Sequence, residues 1–339
     1  MRIRAALSQQ RAAAPAPDPS PVVSSFSGAN NAAIRTPSPV LAARRAAVRS
    51  TVMPRVEVNG VSLAYEEMGS GPAIVWMQGG RSGRDLMRPI AQGLASEYRC
   101  VIYDRRNCGE SDVLIGGDAS EQEIWADELA GLIQKLDLGP AYLGGWSAGC
   151  RVAILTAIRH QSLVKGLLLG WVTGGGVAAQ RLSHQYYGQF IEAARQGGMA
   201  AVAATPFFAE RIQMNPSNRE RLLSMDPAAF IAVMERWSRY FTEGADLPVI
   251  GATEEELKTI RVPVSIVAGD DDVHPLKAAR DLHRILPDSE FHDPPIPRPE
   301  WDALSESPAK RDEVRSERAL PLFRNFLARV EARSAARSG

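Results

Sequence analysis

A short glycine-rich motif around Ser147 is the clearest candidate for chemistry in this sequence. Residues 145–149 read Gly-Trp-Ser-Ala-Gly, a G-x-S-x-G pattern that follows a short apolar run and precedes a helical stretch. Small residues on both sides allow a sharp strand-to-helix turn, which exposes the serine hydroxyl and directs the N–H of Ala148 towards a developing oxyanion. The motif therefore predicts that Ser147 attacks a carbonyl carbon. The competing interpretation is an ordinary serine at a helix N-terminus.

The elements that must position this serine alternate between buried strands and helices. Five short apolar runs have the length and composition of strands: 73–77, 100–103, 141–143, 164–169 and 264–268. Such near-continuous apolar runs are typical of a parallel sheet that is covered on both faces. Helical patterns separate them, and the one at 120–136 begins with a capping box formed by Ser120 and Glu123. We therefore expect an α/β fold with a mostly parallel, doubly wound sheet and helices on both faces.

Residues 173–258 interrupt this alternation with a mostly helical, aromatic-rich segment. We interpret it as a helical cap inserted in the core, which would comprise residues 53–172 and 259–339. Its aromatic side chains would line an apolar pocket, or they would form only the core of the cap itself. At the C-terminus we expect another helix, with Pro321 in its first turn.

Three motifs taken together resemble the α/β-hydrolase family of the capped kind. The first is the motif around Ser147. The second is Gln78-Gly79-Gly80 after the first apolar run, where the family usually has His-Gly-x, and the third is the segment 104–112, which resembles a D-x-R-x-x-G-x-S-D loop. The resemblance implies an α/β-hydrolase fold in which the N–H of Gly80 joins that of Ala148 in the oxyanion hole. The glutamine at position 78 departs from the family pattern but leaves this backbone donor in place.

The resemblance also implies a catalytic acid after the run 264–268, where the sequence continues Gly-Asp-Asp-Asp-Val-His-Pro. One form of the family pattern selects Asp271 and another selects Asp272, and we take Asp271 as the first choice. The acid would orient the catalytic histidine and stabilise its protonated form. The same stretch also fits a solvated acidic loop that opens a helix. A metal site that includes His274 is a further interpretation, but no second ligand cluster has matching spacing.

The identity of the general base is open among five histidines. The family takes its histidine from a loop after the last strand, and the corresponding residues 293–301 contain none. In the strand order that the resemblance implies, His292 lies on that strand, three strand spacings or about 14 Å from the nucleophile strand. His274 is on a loop about two spacings away and is the first choice. The alternatives are His292, His184 from the cap, or no catalytic histidine, since His160 and His283 are expected to lie away from the site.

Composition and charge exclude several classes of protein. The 39 basic and 39 acidic side chains argue against a nucleic-acid binder that relies on bulk charge. No apolar run approaches the roughly 18 residues that span a bilayer. Three cysteines without a C-x-x-C motif exclude a disulfide scaffold and favour a cytoplasmic location.

The zero net charge is unevenly distributed along the chain. Residues 1–52 carry seven arginines and one aspartate, a net charge of +6, and are rich in Ala, Pro and Ser. This composition predicts a disordered extension, because it offers too little apolar surface to offset the chain entropy lost on folding. It is either an extension without a role in the working protein or an organelle-targeting peptide.

Two functional hypotheses from different classes follow. The resemblance implies a serine hydrolase of a small ester, lactone or related acyl compound, with Ser147, Asp271 and His274 catalytic and with no cofactor or metal. The alternative is a weakly active or inactive relative that binds a small apolar molecule under the cap, and a third possibility is a cofactor-free lyase on the same scaffold. The expected partner is a small-molecule substrate, neither nucleic acid nor membrane, and the oligomeric state is left open.

Overall fold

An eight-stranded sheet forms the centre of the protein. The computed structural model describes residues 53–304 and 306–338, so the predictions made for residues 1–52 lie outside it. The strands are β1 (Arg55–Val58), β2 (Val61–Met68), β3 (Ala73–Met77), β4 (Arg99–Tyr103), β5 (Ala141–Trp146), β6 (Val164–Gly170), β7 (Val264–Val267) and β8 (Ser289–His292). Their spatial order is β1-β2-β4-β3-β5-β6-β7-β8. β2 runs antiparallel to both of its neighbours, β1 and β4, and the pairs from β4 to β8 are all parallel.

All five apolar runs that predicted strands form strands of this sheet. Every residue of β3, β5 and β7 is buried, as expected for central strands that are covered on both faces. β5 continues beyond the predicted residues 141–143 as far as Trp146, so its carboxyl end leads directly into Ser147.

Helices and helical turns connect the strands and cover them. The helices are α1 (Arg88–Leu94), α2 (Glu121–Lys135), α3 (Ala148–Arg159), α4 (Gly175–Ser183), α5 (Gln189–Ala204), α6 (Pro206–Met214), α7 (Ser217–Leu223), α8 (Pro227–Glu243), α9 (Glu254–Leu257), α10 (Leu276–Ile285), α11 (Arg298–Leu304) and α12 (Pro308–Ser338). Short 3₁₀ turns lie at Arg84–Met87 and Gln161–Leu163, and one π-helical turn lies at His184–Gly188. The predicted capping box is present at the start of α2, with reciprocal bonds between Ser120 and Glu123.

The two faces of the sheet bury separate apolar clusters. One cluster joins α2, α3 and α10 to the sheet through side chains such as Leu129, Ile154 and Leu282. The other joins α1 and α12 to the opposite face through side chains such as Ile90 and Phe323. Helices on both faces confirm the doubly wound α/β class.

The long connection between β6 and β7 contains helices α4 to α9, which is the helical insertion expected from the sequence. Most of its aromatic rings pack on one another, as Tyr187 does on Trp237 and Phe241 at 6.0 and 5.6 Å between ring centroids. These rings form a third apolar cluster. The aromatic residues are therefore mainly the core of this insertion, whereas the division of the chain at residues 173 and 258 stays a prediction.

The C-terminal helix differs from the prediction. Pro321 does not lie in the first turn, because α12 begins at Pro308 and passes through position 321. The predicted apolar face is present, with Phe323, Phe326, Leu327 and Val330 buried against the sheet. The additional turns at the start of α12 reach the cavity described below. No helix in the described part of the chain combines the length and the apolar character that crossing a membrane requires.

Candidate active site

Ser147 occupies a sharp turn between β5 and α3. Its backbone has φ 54° and ψ −110°, a strained conformation for a residue with a side chain. Its N–H donates to the carbonyl of Gly170 at 3.0 Å, which ties the turn to the neighbouring strand β6. The hydroxyl makes no capping bond to the described residues of α3, so the turn is not an ordinary helix start.

The two glycines of the motif are required by close backbone contacts. A Cβ at position 145 would lie 2.5 Å from the carbonyl carbon of Gly149. A Cβ at position 149 would lie 2.3 Å from the carbonyl oxygen of Met77, at the end of β3. No side chain fits at these distances, which explains why the sequence has glycine on both sides of Ser147.

The turn after β3 brings Gly79 and Gly80 beside the serine. A Cβ added at Gly79 would lie 3.3 Å from the Cβ of Ser147. Gly80 has φ +52°, a left-handed conformation that favours glycine. The guanidinium of Arg105 donates to the carbonyl oxygen of Gly80 at 2.6 Å and so holds this peptide in place. Gln78, which stands where a histidine was expected, is buried and donates to the carbonyl of Ser82 at 2.8 Å.

Asp271 and His274 form a hydrogen-bonded pair on the turn that follows β7. The Nδ1 atom of His274 lies 2.8 Å from Oδ2 of Asp271. The other oxygen, Oδ1, accepts the N–H groups of Val273 and His274 at 2.8 and 3.0 Å. With its carboxylate thus oriented, Asp271 favours the tautomer that has its proton on Nδ1. The Nε2 atom of His274 is buried and has no hydrogen-bond partner among residues 53–304 and 306–338.

The pKa values of both groups are lowered. Burial alone would raise the pKa of Asp271, but the hydrogen bond with His274, its positive charge when protonated and the two backbone donors bring the pKa to about 2. Burial lowers the pKa of His274, and the bond to Asp271 offsets this only in part. The positive charges of Arg315 and Arg151 lower it further. The imidazole of His274 is therefore neutral at neutral pH.

The other candidates named from the sequence are placed elsewhere or are engaged otherwise. Asp272 is exposed and lies 3.3 Å from a guanidinium nitrogen of Arg298. The remaining histidines are bound to other partners or are exposed: His160 lies 2.7 Å from Asp127, His283 lies 2.8 Å from Ser289, His292 lies 2.9 Å from Glu290, and His184 is exposed on the π-helical turn. His292 is on β8, three strands from β5, as the sheet order requires.

Ser147, Gly80, Asp271 and His274 all line one cavity of about 390 Å³. This volume falls within the range of small-molecule sites. Trp301 forms part of its wall, with its ring edge-on to that of His274 at 6.4 Å and stacked on Trp171 at 5.6 Å. The structure thus brings the serine, the acid and the first-choice histidine of the sequence analysis to one place.

The lining of the cavity is more polar than the sequence suggests. Four arginines and four aspartates contribute to it, whereas Leu182 and Tyr186 are the apolar and aromatic contributions of the helical insertion. The expected apolar pocket under the cap is therefore not what the structure contains at Ser147. The aromatic side chains of the insertion are largely used in its own core.

Sequence reasoning missed Arg311, Asp312 and Arg315, which line the cavity from the first turns of α12. The available signal was the four-residue spacing of the two arginines, which places both on one face of a helix. The helix start assigned at Pro321 hid this signal. As for metals, no group of three or more His, Cys, Asp or Glu side chains in the described ranges could hold an ion.

A sequence profile of the alpha/beta hydrolase family matches residues 69–301, and the chain belongs to this family. Among curated proteins, the uncharacterized hydrolase YraK of Bacillus subtilis is 32% identical over 109 residues, which cover 32% of this chain and 40% of that protein. The 2-(acetamidomethylene)succinate hydrolase of Mesorhizobium japonicum is 32% identical over 114 residues, which cover 34% of this chain and 40% of that protein. The matched segment therefore spans 40% of the length of both relatives.

Solved structures share the fold. A thermophilic esterase from Thermogutta terrifontis superimposes with a TM-score of 0.54 at 23% identity, covering 82% of this chain and 97% of the esterase. At this level of identity the match establishes the common α/β-hydrolase architecture and nothing finer.

Proposed function

We propose that this protein is a serine hydrolase whose nucleophile is Ser147 and whose general base is His274. The observation that carries the proposal is that Ser147, on its strained turn, lines the same cavity as the hydrogen-bonded pair of Asp271 and His274. The family usually takes this histidine from a loop beyond the last strand. In the proposed arrangement, the turn after β7 supplies both the acid and the base.

The proposed reaction begins with attack of the Ser147 hydroxyl on a carbonyl carbon. Nε2 of His274 takes the hydroxyl proton, and Asp271 stabilises the imidazolium that results. The N–H groups of Gly80 and Ala148 bind the negative oxygen of the tetrahedral intermediate. The imidazolium then returns the proton to the leaving group, which departs as the acyl-serine forms. Water, deprotonated by the same nitrogen, hydrolyses the acyl-serine and regenerates Ser147.

The substrate class that we propose is a small ester, lactone or related acyl compound. The size of the cavity supports this class, and so does the fact that one relative is a 2-(acetamidomethylene)succinate hydrolase and one structural neighbour is an esterase. The charged lining favours this proposal over an inactive relative that holds a small apolar ligand. We also propose a cytoplasmic location, which rests on three buried cysteines, Cys100, Cys108 and Cys150, that are all unpaired.

A fluorophosphonate probe that reacts with activated serines tests the proposal. We expect it to label the folded wild type and a Ser82→Ala control, in which a second serine of the same cavity is removed. Labelling should disappear in Ser147→Ala. The histidine is tested with His274→Ala against His292→Ala: the first should slow labelling by at least about 100-fold, a typical contribution of a positioned base, and the second should not slow it.

Absence of labelling in a wild-type protein with a normal thermal unfolding transition would contradict the hydrolase proposal. It would favour a binding protein on the same fold. If His274→Ala and the wild type are labelled at the same rate, Ser147 remains the proposed nucleophile, but His274 is not its base.

A further inference from the structure

The first turns of α12 present two arginines to the cavity that contains Ser147. Arg311 and Arg315 are four residues apart and therefore lie on the same face of the helix. Both line the cavity together with Ser147 and His274. Neither side chain belongs to the proposed catalytic machinery, so their presence in the cavity needs a separate explanation.

Arg315 is buried, and its charge is balanced by a neighbour. Its guanidinium lies 2.5 Å from Oδ1 of Asp312, and the carbon between its nitrogens lies 5.1 and 5.7 Å from the rings of Trp146 and Trp171. Its Nε atom is buried without a hydrogen-bond partner among the described residues. Arg315 is thus a buried cation at the cavity wall, held by Asp312 and by two indole rings.

Arg311 has no anionic partner in the part of the chain that the structure describes. Its guanidinium makes no hydrogen bond or ion pair with residues 53–304 and 306–338, and its contact is with the ring of Trp301 at 5.4 Å. Its Nε atom is buried and unpaired in the same described ranges. A half-buried guanidinium without a counterion has lost hydration that nothing in the described protein replaces, so an anion in the cavity would stabilise it.

The acidic groups of the cavity are already engaged. Asp271 is bound to His274, Asp312 to Arg315, and Asp272 and Asp302 both lie within 3.3 Å of Arg298. The helical insertion adds one more cation, Arg181 of α4, which forms no ion pair with the described part of the chain. The four arginines and four aspartates of the lining balance in charge, but each carboxylate has a hydrogen-bonded partner, whereas Arg311 and Arg181 have no ion-pair partner in the described ranges.

We propose that Arg311, supported by Arg315, binds a carboxylate carried by the acyl substrate at a distance from the scissile carbonyl. The planar guanidinium presents paired donors that match the two oxygens of a carboxylate. Arg181 would add attraction from the rim of the cavity. This inference rests on the proposed hydrolase function and narrows its substrate to anionic acyl compounds, such as half-esters of dicarboxylic acids.

A matched pair of substrates separates this inference from the hydrolase proposal. The 4-nitrophenyl half-ester of adipic acid and 4-nitrophenyl hexanoate have the same chain length and leaving group, and differ in the terminal carboxylate. Half-esters of glutaric and pimelic acid cover a shorter and a longer reach. We expect Arg311→Gln to lower the ratio of kcat/KM for a half-ester to that for its neutral counterpart by about 10- to 100-fold, the usual cost of removing a charged hydrogen-bond partner. Lys310→Gln removes the same charge from an exposed neighbouring position and should leave the ratio unchanged.

The possible outcomes distinguish the two proposals. Turnover of both substrates with an unchanged ratio in Arg311→Gln overturns the carboxylate subsite and leaves the hydrolase function intact. If neither substrate is hydrolysed, the hydrolase function is contradicted. Calorimetric titration of Ser147→Ala with adipate then tests the carboxylate subsite by itself. The subsite is supported if Arg311→Gln abolishes adipate binding and Lys310→Gln retains it. If Ser147→Ala binds no adipate, the subsite is overturned.

Discussion

Replacement of Asp271 by asparagine is the sharpest single test of the catalytic arrangement. Asparagine has nearly the same shape, and its side-chain oxygen can still accept the N–H groups of Val273 and His274 that hold the turn. What the variant loses is the negative charge 2.8 Å from Nδ1 of His274. The amide nitrogen would face Nδ1 in place of the oxygen. We therefore expect a folded protein with a disabled base.

The structure supplies an order of magnitude for the electrostatic part of the effect. The pKa of Asp271 falls from 3.8 to about 2, which at 1.36 kcal/mol per pH unit amounts to about 2 kcal/mol in favour of the carboxylate. The hydrogen bond with His274 and its charge contribute more to this lowering than either backbone donor does, and coupling between two charges is reciprocal, so the carboxylate stabilises the imidazolium of His274 by an amount of this order. Loss of about 2 kcal/mol in the transition state lowers kcat by about 30-fold.

A change in the tautomer of His274 adds to this loss of kcat. An amide that donates to Nδ1 requires the ring proton on Nε2, where it prevents the nitrogen from accepting the proton of Ser147. Comparable replacements in serine triads lower kcat by about 10,000-fold. We expect Asp271→Asn to lower kcat by about 1,000- to 10,000-fold with a small change in KM.

The assay is steady-state hydrolysis of a 4-nitrophenyl ester, with Asp272→Asn as the matched control. Asp272 is adjacent and exposed and contacts only Arg298 among the described side chains, so its replacement should change kcat by less than about threefold, as for a surface ion pair. Thermal unfolding shows whether each variant is folded. A folded Asp271→Asn that loses less than about 30-fold in kcat, or an equal loss in Asp272→Asn, would refute this account of the pair.

Two further predictions concern the base and the serine turn. Burial holds the pKa of His274 below its ordinary value of 6.5, so the neutral base is present at neutral pH and is lost as the pH falls through the lowered pKa. We therefore expect kcat/KM to be level above neutral pH and to reach half of its maximum below pH 6.5. A half-maximal point above pH 6.5 would contradict this. Gly149→Ala should lower the free energy of unfolding by about 1–3 kcal/mol in urea titrations, because its Cβ would lie 2.3 Å from the carbonyl oxygen of Met77. Gly116→Ala, whose Cβ meets no described atom within 4 Å, is its control, and equal losses in the two variants would contradict the steric argument.

Local sequence patterns were enough to predict the strands, the capping box and the turn at Ser147. Each depends on neighbours in the chain: a run of apolar residues forms a buried strand, Ser120 and Glu123 cap one helix end, and small residues at 145 and 149 permit one sharp turn. The same locality explains the error at α12. Pro321 was taken as a helix start because proline favours the first turn, whereas packing of the apolar face against the sheet carries the helix through it.

The choice between Asp271 and Asp272 depended on geometry that the sequence leaves open. Both follow β7 at nearly the same distance along the chain. Their side chains diverge because the turn uses one oxygen of Asp271 to accept two backbone N–H groups, which directs the other oxygen towards His274. Asp272 is exposed and pairs with Arg298 instead.

The sequence by itself determined the α/β class, the strained serine turn and the absence of a histidine beyond the last strand, since these follow from residue types and short spacings. Only the tertiary structure decided which groups surround Ser147. The order of the strands sets β7 two positions from β5 and β8 three positions away, so the turn carrying His274 reaches the serine cavity whereas His292 remains on its strand. Arg311 and Arg315 of α12 line the same cavity, although they follow Ser147 in the chain by more than 160 residues. The spacing of these residues along the chain does not reveal that they lie close together, because their proximity arises from how the helices and strands pack.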